Sequence, residues 1–519
     1  MSVAAGWSAF MVNFALMIRG ATTKLSAAAD ENGPARGPRL RELDAALECD
    51  PDCIAALAER AGLLREQGRF EEAKRAYLEL IRRNPTDFAA LNDFGALALE
   101  AGHSEAARSL FGEAVRHHPG NANGHVNLAN LLLAIGVLDG ARLHFEAALR
   151  IDAAHIHAHR GMGNLLAGLG DAAGARRHRD RGFAGHALTA LPYRGDGTPI
   201  SVLLLVSACG GNIPTSTILD DRTFKKTVLV AEYYDAKAEL PPHDLVFNSL
   251  GDADICGEGL EAACTLLAQT KKPVINHPAR VLQTGRAANV DRLRGLPHVI
   301  VPRMRRLSRH ALAGAFAAET AAANGFSFPL LARALGFHTG RHFVRAGTPE
   351  ELAAAVANFP GDDVWLIEQL DARDSEEHFR KIRVMIVDRK IYPLHLAISH
   401  TWKVHYFRAD MAHSEENRRK DGEFLDDMAR AIGSRAVTAL ERIAATLDLD
   451  YGGIDFAVNA GGDVLFFEGN ATMVMVPLAA DEKWDYRRPA FDNVFAAVRR
   501  MLTARATAGD GECPSQLLR

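Results

Sequence analysis

The pattern of apolar positions divides the chain into two parts. In the first, small and aromatic residues return with a period of 34, whereas in the second, continuous apolar runs such as Ile200–Val206 predict buried strands. That run ends in a Gly-rich turn at Ser207–Asn212, at the carboxyl end of a strand, where ligands gather in open α/β sheets. Further strands, with a helix at about 258–269 between the last two, are predicted at Thr227–Ala231, Asp244–Asn248 and Pro273–Asn276.

Four markers share the 34-residue period. A Gly permits a tight turn between two helices, an Ala lets the helices approach, an aromatic residue fills the gap to the next unit, and a Pro ends the second helix. The last copy departs from the pattern with Arg179, and Ala153 replaces one Pro. The markers are Gly68, Gly102, Gly136 and Gly170; Ala73, Ala107, Ala141 and Ala175; Tyr77, Phe111 and Phe145; Pro51, Pro85 and Pro119.

This pattern resembles the tetratricopeptide repeat. Four units are predicted at about 54–87, 88–121, 122–155 and 156–188, and residues 39–49 are predicted to be half of a preceding, capping unit. Such arrays bind a peptide or protein in a concave groove, and the alternative is a structural array that packs on a neighbouring domain or self-associates.

Two groups of polar residues in the repeats are candidates for contact with ligands. The asparagines on the first helices of their units, Asn92, Asn127 and Asn130, are candidate groove residues. His155, His157 and His159 alternate near the start of unit four, but no acidic or Cys partner follows them. We therefore predict surface histidines rather than a metal site.

A single helix is predicted at 424–446, and the segment Tyr451–Asn470 that follows it predicts a β-hairpin that carries metal ligands. Two apolar runs flank the Gly-rich turn Ala460–Asp463. Asp455 lies in the first strand, while Glu468 and Asn470 lie two apart in the second, so their side chains share one face. Three hard oxygen ligands suit Mg²⁺. The alternative is a solvated hairpin with chance acids.

An Asp followed by Glu-x-Asn resembles the metal-binding end of the ATP-grasp superfamily. Members of that superfamily include D-alanine–D-alanine ligase, glutathione synthase and the ligases that add glutamate to ribosomal protein. The resemblance covers roughly the C-terminal 300 residues. It implies ATP as cofactor and two Mg²⁺ ions held by Asp455, Glu468 and Asn470.

The same resemblance assigns residues to a nucleotide cleft. Arg286 and Arg333 stand where the family has phosphate-binding Lys residues, and each has a surface salt bridge as its alternative role. The resemblance places the phosphate loop at Gly336–Gly340 and the adenine edge at Glu368 and Leu370. It leaves three candidates for the ribose carboxylate, Asp374, Glu376 and Glu377, and it places Arg383 and Lys403 near the transferred phosphate.

The implied chemistry is ADP-forming ligation. A substrate carboxylate attacks the γ-phosphate of ATP, and an amine, or less often a thiol, then displaces phosphate from the acyl phosphate. Arg286, Arg333 and Lys403 would neutralise developing charge, and Arg383 would orient the acyl phosphate. A phosphotransferase on the same fold and a non-enzymatic nucleotide-binding scaffold are the alternatives, and the Lys-to-Arg changes favour the latter.

The predicted fold is an all-α tetratricopeptide solenoid followed by an α/β pre-ATP-grasp domain and an α+β ATP-grasp domain. The predicted boundaries are a leader and linker at 1–38, the array at 39–189, the pre-ATP-grasp domain at 198–302, the ATP-grasp domain at 303–505 and a tail at 506–519. The expected partners are ATP, a small-molecule or peptide carboxylate, an amine, and a protein bound by the repeats.

Composition excludes some other classes of function. A net charge of −4 over 519 residues does not indicate a basic surface for binding nucleic acid or membranes. The six cysteines form no Cys-x-x-Cys pair, so neither a zinc site nor a disulfide framework is predicted, and we expect a cytoplasmic protein. The apolar stretch 4–18 is interpreted as a leader or as the result of a start codon assigned too far upstream, with Met11 and Met17 as alternative starts and a targeting segment as the remaining alternative.

Overall fold

The computed structural model describes residues 36–508 except 338–339, 405, 407–408, 474, 476–477 and 479–480. Most of the predicted leader, most of the tail and the middle of the predicted phosphate loop therefore lie outside the described residues. The chain forms two compact units. The first comprises the described residues up to Leu204 together with Pro214–Asp244, and the second comprises Leu205–Ile213 together with the described residues from Leu245 onward.

The first unit begins with an array of consecutive helices. Each predicted repeat forms two helices joined by a tight turn, and helix α1 precedes them as the predicted half unit. Gly68, Gly102, Gly136 and Gly170 all have positive φ, between 73° and 87°, as the turn requires. The helices are α1 (Arg36–Cys49), α2 (Ile54–Glu66), α3 (Phe70–Arg83), α4 (Phe88–Glu100), α5 (Ser104–His117), α6 (Ala122–Ala134), α7 (Leu138–Ile151), α8 (Ile156–Gly168) and α9 (Ala172–Phe183).

The other repeat markers form the core of the array. The four periodic alanines, Ala73, Ala107, Ala141 and Ala175, are fully buried. The aromatic markers pack on small residues of neighbouring helices, since a Cβ on Gly95 would lie 2.6 Å from the Phe111 ring, and one on Gly161 would overlap Phe145. Gly161 belongs to the unit after Phe145, so this aromatic fills the gap to the next unit as predicted.

Strands β1 (Leu188–Ala190), β2 (Ile200–Val206) and β3 (Phe224–Val230) follow the array. Strand β1 pairs antiparallel with β3, which is also hydrogen-bonded to β2. The predicted strand at Ile200–Val206 is confirmed with the same bounds. Its central residues are buried, as the continuous apolar run indicated.

The second unit contains a four-stranded antiparallel sheet, a five-stranded sheet that is antiparallel except for the parallel pairing of β6 with β14, and a short parallel pair, β4–β5. One sheet has the order β7-β10-β8-β9 and the other β12-β11-β13-β14-β6. Its elements in chain order are β4 (Leu245–Asn248), α10 (Gly257–Leu267), β5 (Val274–Ile275), α11 (Pro278–Val281), α12 (Arg286–Leu293), β6 (Val299–Ile300), β7 (Met304–Ser308), α13 (Ala317–Ala323), β8 (Leu330–Ala334), β9 (Phe343–Ala346), α14 (Pro349–Ala357), β10 (Asp363–Glu368), β11 (Phe379–Val387), β12 (Lys390–Ser399), α15 (Glu415–Asp426), α16 (Met428–Ile432), α17 (Ser434–Leu447), β13 (Tyr451–Val458), β14 (Val464–Asn470) and α18 (Arg488–Thr507).

The predicted single helix at 424–446 is wrong. Helix α15 ends at Asp426, the carboxylate of Asp427 caps α16, and Gly433 separates α16 from α17 with a φ of 87°. A residue with positive φ cannot continue a right-handed helix, so the segment breaks there.

Candidate functional site

The predicted metal hairpin forms, and its three candidate ligands lie at neighbouring positions. Strands β13 and β14 pair antiparallel with Asp455 opposite Glu468 and Gly453 opposite Asn470. The amide nitrogen of Asn470 donates to Oε1 of Glu468 at 3.0 Å, so these two side chains share a face as predicted. The donor set of two carboxylates and one amide oxygen is of the kind that suits Mg²⁺.

The carboxylate of Asp455 is held by two cations from the adjacent strand β11. Arg383 lies opposite Asp455 and donates to both carboxylate oxygens, from Nε at 2.6 Å and from Nη2 at 2.8 Å. Lys381 donates from Nζ to Oδ2 at 2.9 Å. Sequence analysis did not assign Lys381 to the site. The available signal was its position two residues before Arg383, which places both side chains on one face of β11.

These cations control the protonation of Asp455, which is only 4% exposed. Burial alone would raise the pKa of this carboxyl, but the charge of Arg383, and then that of Lys381, outweighs burial. The pKa of Asp455 is therefore held well below its usual range, and the residue is a carboxylate at neutral pH.

Arg286, at the start of helix α12, contacts the β13–β14 hairpin. Its Nη2 lies 2.8 Å from Oε1 of Glu468, and its backbone amide donates to Asp254 Oδ2 at 3.2 Å. Burial raises the pKa of Asp254, while the hydrogen bond from the Arg286 amide opposes that rise. Asp254 was not predicted from the sequence, because it lies 32 residues before its partner in a segment without a recognisable motif.

Arg333 lies near Arg286 but makes different contacts. Its Nη2 donates to the carbonyl of Phe337 at 2.6 Å, and its guanidinium lies over the Phe343 ring. Burial first, and repulsion by Arg286 second, lower the pKa of Arg333 to about 10. Neither Arg286 nor Arg333 is an exposed surface ion pair, because both side chains are largely buried.

Lys403 contacts the end of the predicted phosphate loop. Gly336 and Gly340 both have positive φ, and residues 338–339 between them lie outside the described part of the chain. The Lys403 Nζ donates to the carbonyl of Gly340 at 2.7 Å and to that of Phe343 at 3.0 Å. The structure therefore places Lys403 at the end of this loop, on backbone oxygens.

The predicted adenine and ribose residues make local contacts. Glu368 ends β10 and accepts a hydrogen bond from the Arg303 amide at 2.9 Å, while Leu370 lies just beyond the strand. Asp374 accepts from the amides of Glu376 and His378. Glu376 pairs with Lys420, and Glu377 pairs with Arg373. None of these contacts separates the three ribose candidates.

A small cavity of about 40 Å³ lies between the two sheets at this site. Met304 of β7 and Ile367 of β10 line it from the four-stranded sheet, and Phe466 lines it from β14. Its polar lining includes Asn289, whose Oδ1 is buried and has no partner among the described residues. Asn289 was also missed by sequence analysis, and its amide donates to the carbonyl of Gly469 at 2.6 Å.

The prediction that the asparagines of the array lie on an open groove is wrong. Asn92 is 2% exposed, and Asn127 and Asn130 are fully buried. The Asn127 amide donates to Asn92 Oδ1 at 2.6 Å, across two successive units. Asn130 faces Gly161, since a Cβ on that glycine would lie 3.1 Å from its Oδ1. These side chains are therefore inside the array.

The prediction of surface histidines is also wrong for His159, which is 2% exposed. Its Nε2 lies 3.0 Å from the Ala153 carbonyl, and its Nδ1 lies 2.9 Å from Nδ1 of His178. His125 and His144 repeat this pair one unit earlier, with the same 2.9 Å between their Nδ1 atoms. Burial first, and the paired ring second, lower the pKa of His144 and of His178.

An open groove of about 410 Å³ lies elsewhere on the array, against α7, α8 and α9. Its apolar lining comes from Leu149, Met162 and Leu166. The exposed side chains of Arg142, Glu146 and Arg150 also line it. This groove has the apolar floor and charged rim that a peptide-binding surface needs.

A comparison with protein families identifies the repeats of the helical array. The family model described as Tetratricopeptide repeat matches residues 40–88, 59–102 and 92–156. The N-terminal array is built of tetratricopeptide repeats. The pair α8–α9 lies largely beyond the matched residues, but it has the same glycine turn and buried alanine as the matched pairs.

Solved structures similar to the chain also align with part of it. MamA is 18% identical, over 28% of this chain and 84% of its own, with a TM-score of 0.26. PilF from Pseudomonas aeruginosa is 20% identical, over 34% of this chain and 75% of its own, with a TM-score of 0.27. YrrB, titled a TPR protein with an unusual peptide-binding site, is 19% identical, over 33% of this chain and 90% of its own, with a TM-score of 0.26. No curated protein matches the chain.

Two further findings concern the chain outside the candidate site. In the described part of the chain, no helix has both the length and the apolar character needed to cross a bilayer. Cys49, Cys53, Cys209, Cys256 and Cys264 form no disulfide among the described residues, and Cys513 lies outside them.

Proposed function

We propose that the second unit is an ATP-dependent, ADP-forming carboxylate–amine or carboxylate–thiol ligase of the ATP-grasp type, and that the repeats bind a peptide or protein substrate or partner. The observation that carries the proposal is a row of charged residues across three adjacent strands, Arg383 on β11, Asp455 on β13 and Glu468 on β14. Asn470 lies against Glu468, and Arg286 approaches from α12.

The row contains candidate metal ligands and cations, which are the groups that phosphoryl transfer needs. Asp455, Glu468 and Asn470 would hold two Mg²⁺ ions, which supply charge neutralisation at the phosphates when bound. Arg286 and Arg333 would contact phosphate oxygens, and Arg383 would orient the acyl phosphate. Lys403 would position the phosphate loop through the carbonyls that it already contacts. The reaction requires no general base from the chain.

Nucleotide binding would require the site to open. The cavity of about 40 Å³ is far smaller than the roughly 300 to 1,000 Å³ of typical ligand pockets. The adenine edge assigned to Glu368 and Leu370 belongs to the four-stranded sheet side, whereas the metal ligands belong to the other sheet. We infer that the two sheets move apart to admit ATP and close on it afterwards.

Calorimetry with ATP and Mg²⁺ tests the proposal, with Glu468→Gln beside the unaltered protein. We expect magnesium-dependent binding that the substitution weakens at least about tenfold, because it removes a ligand charge. Asp463→Asn is the matched control, since Asp463 lies on the same hairpin and pairs with His298 and Arg435 at the surface. Absence of nucleotide binding by the folded protein would overturn the proposal. ADP release with panels of acids and amines then identifies the substrates.

The repeats are tested separately through the groove on α7, α8 and α9. The groove is lined by two arginines, Arg142 and Arg150, and one acid, Glu146, and this excess of positive charge would favour a peptide with acidic side chains beside apolar ones. With a peptide substrate from the panel, the double substitution of both arginines by Glu should raise KM and leave kcat unchanged, because the groove would bind and not react. Arg108→Glu, on the exposed face of α5, is the control. An unchanged KM would show that the groove does not bind the peptide substrate.

A further inference from the structure

Four oxygen atoms of the candidate metal set already accept hydrogen bonds from within the chain: both carboxylate oxygens of Asp455, Oε1 of Glu468 and Oδ1 of Asn470. Oδ1 of Asp455 accepts from Arg383, and Oδ2 accepts from both Arg383 and Lys381. Oε1 of Glu468 forms an ion pair with Arg286 and accepts a hydrogen bond from the Asn470 amide. Oδ1 of Asn470 accepts from the Thr472 amide and hydroxyl at 2.9 and 2.8 Å. The set is thus charge-neutralised before any ligand arrives.

The ion pair on Asp455 is the strongest of these contacts. Two cationic side chains lie within 2.9 Å of a carboxylate whose side chain is 5% exposed. A divalent ion coordinated by the same carboxylate would lie within about 4 to 5 Å of both cations, where like charges repel strongly in a buried setting. A divalent cation therefore competes poorly for Asp455 while Arg383 and Lys381 stay in place.

A polyphosphate changes this balance. Its phosphate oxygens offer Arg383 and Lys381 alternative partners, and Arg is suited to bidentate phosphate contacts. Once these cations bind phosphate, Asp455 regains free lone pairs, and the negative charge of the polyphosphate also attracts the divalent ion. The two events favour each other, which is reciprocal coupling between two ligands.

We propose that Lys381 is a positioning residue that, together with Arg383, withholds Asp455 from divalent cations until the polyphosphate of a nucleotide draws both side chains away. The proposal rests on the ligase function proposed above and adds an order of binding to it. Lys381 gives the clean test, because its removal leaves the bidentate Arg383–Asp455 pair and so does not leave the buried carboxylate without a partner.

The experiment uses Mn²⁺ in place of Mg²⁺ and the full chain. Bound Mn²⁺ is measured by electron paramagnetic resonance of the free ion and, with polyphosphate present, by water-proton relaxation. The proteins are the unaltered chain, Lys381→Met, Lys381→Gln as a second variant, and Lys390→Met as a control from the exposed start of β12. Each is titrated with Mn²⁺ alone, with inorganic triphosphate, and with a non-hydrolysable ATP analogue.

We expect the unaltered chain and Lys390→Met to bind Mn²⁺ alone at least about tenfold more weakly than either Lys381 variant. Simple structural damage would weaken metal binding and not strengthen it. With the ATP analogue, the difference between the proteins should shrink. If triphosphate gives the same result, the polyphosphate is sufficient; if only the ATP analogue does, the nucleoside is needed to seat it, and both results support the order of binding.

Two results would overturn the proposal, and they differ in what they leave standing. If the unaltered chain binds Mn²⁺ alone as tightly as the Lys381 variants do, the metal site stands and the withholding role of Lys381 fails. If none of the proteins binds Mn²⁺, with or without the ATP analogue, the proposed ligase function fails and the order of binding fails with it.

Discussion

Arg383 and Asp455 lie opposite each other on strands β11 and β13, and the guanidinium donates to both oxygens of the carboxylate. Asp455 is one of the most buried charges in the second unit, whereas the Glu468 side chain two strands from Arg383 is 26% exposed. The candidate metal ligands therefore differ in how much folding stability depends on them.

The first prediction compares Asp455→Asn with Glu468→Gln. Removing the charge of Asp455 takes from Arg383 and Lys381 the buried carboxylate that both side chains contact, so we expect a loss of about 3 to 5 kcal/mol in the free energy of unfolding. Glu468→Gln removes the negative charge beside Arg286 at a side chain that is 26% exposed, while Asp254 stays 3.8 Å from the guanidinium. The Gln amide oxygen can still accept hydrogen bonds, so this substitution should cost about 1 kcal/mol. Urea unfolding of the second unit, followed by tryptophan fluorescence, measures both. Equal losses in the two variants would contradict the special position of Asp455.

The second prediction concerns acid and the paired histidines of the repeats. The pKa of His144 and that of His178 are lowered by burial and by the adjacent His125 or His159. The folded chain therefore binds a proton less readily than the unfolded chain, whose His pKa is about 6.5. The neutral histidines therefore contribute to the free energy of unfolding above pH 6.5. This contribution is lost as the pH falls from 6.5 through the lowered pKa values of His144 and His178.

Hydrogen exchange of amides in α6 to α9 at pH 7.5 and 5.5 tests this expectation. After correction for intrinsic exchange rates, protection should fall at the lower pH in these helices more than in α2 and α3. The double variant His144→Gln and His178→Gln should show a weaker dependence on pH. A dependence as steep as that of the unaltered chain would show that the paired histidines are not its source.

Periodic small residues made the array predictable from sequence, because each marker has one local role. Gly102 must have positive φ, Ala107 must let two helices approach, and Phe111 must fill the space that Gly95 leaves. The hairpin of Asp455 and Glu468 was predictable for the same reason, since strand alternation and the turn fix which side chains share a face.

The remaining contacts depend on partners that are distant in sequence. Lys381 reaches Asp455 across 74 positions, and Arg286 reaches Glu468 from another element. The helix break at Gly433 was missed because a single glycine is compatible with a helix interior, at a cost, so only the observed φ decides. The burial of Asn127 and His159 was missed because both faces of the first helix in a repeat pack against neighbours.

The third prediction uses two glycines of helix α8. A Cβ on Gly161 would overlap the Phe145 ring, whereas one on Gly168 would meet nothing within 4 Å. Gly161→Ala should therefore destabilise the array by about 1 to 3 kcal/mol through overpacking. Gly168→Ala should leave stability unchanged or raise it by up to about 1 kcal/mol, because Ala favours helix. Hydrogen exchange in α7 and α8 measures both, and a neutral Gly161→Ala would mean that Phe145 moves aside freely.

The last prediction compares the same substitution at two buried asparagines. Asn127→Leu removes the donor to Asn92 Oδ1 and leaves that oxygen buried, so we expect a loss of about 1 to 3 kcal/mol. Asn130→Leu removes two polar atoms that have no partner among the described residues, so it should be neutral or stabilising. Leu has the same number and branching of side-chain heavy atoms as Asn, so the change of shape is the same at both sites, and urea unfolding of the array measures both.

The comparison distinguishes a structural role for Asn130 from a binding role. If Asn130 only fills space between α6 and α8, Asn130→Leu keeps every property of the array, including the affinity for a peptide substrate. A stable Asn130→Leu protein with weaker peptide binding would instead mean that the repeats open to expose this amide, because a fully buried side chain cannot contact a ligand in the closed array. A loss of stability as large as that of Asn127→Leu would mean that Asn130 has a polar partner in solution, and ordered water is the partner that such a buried amide would have.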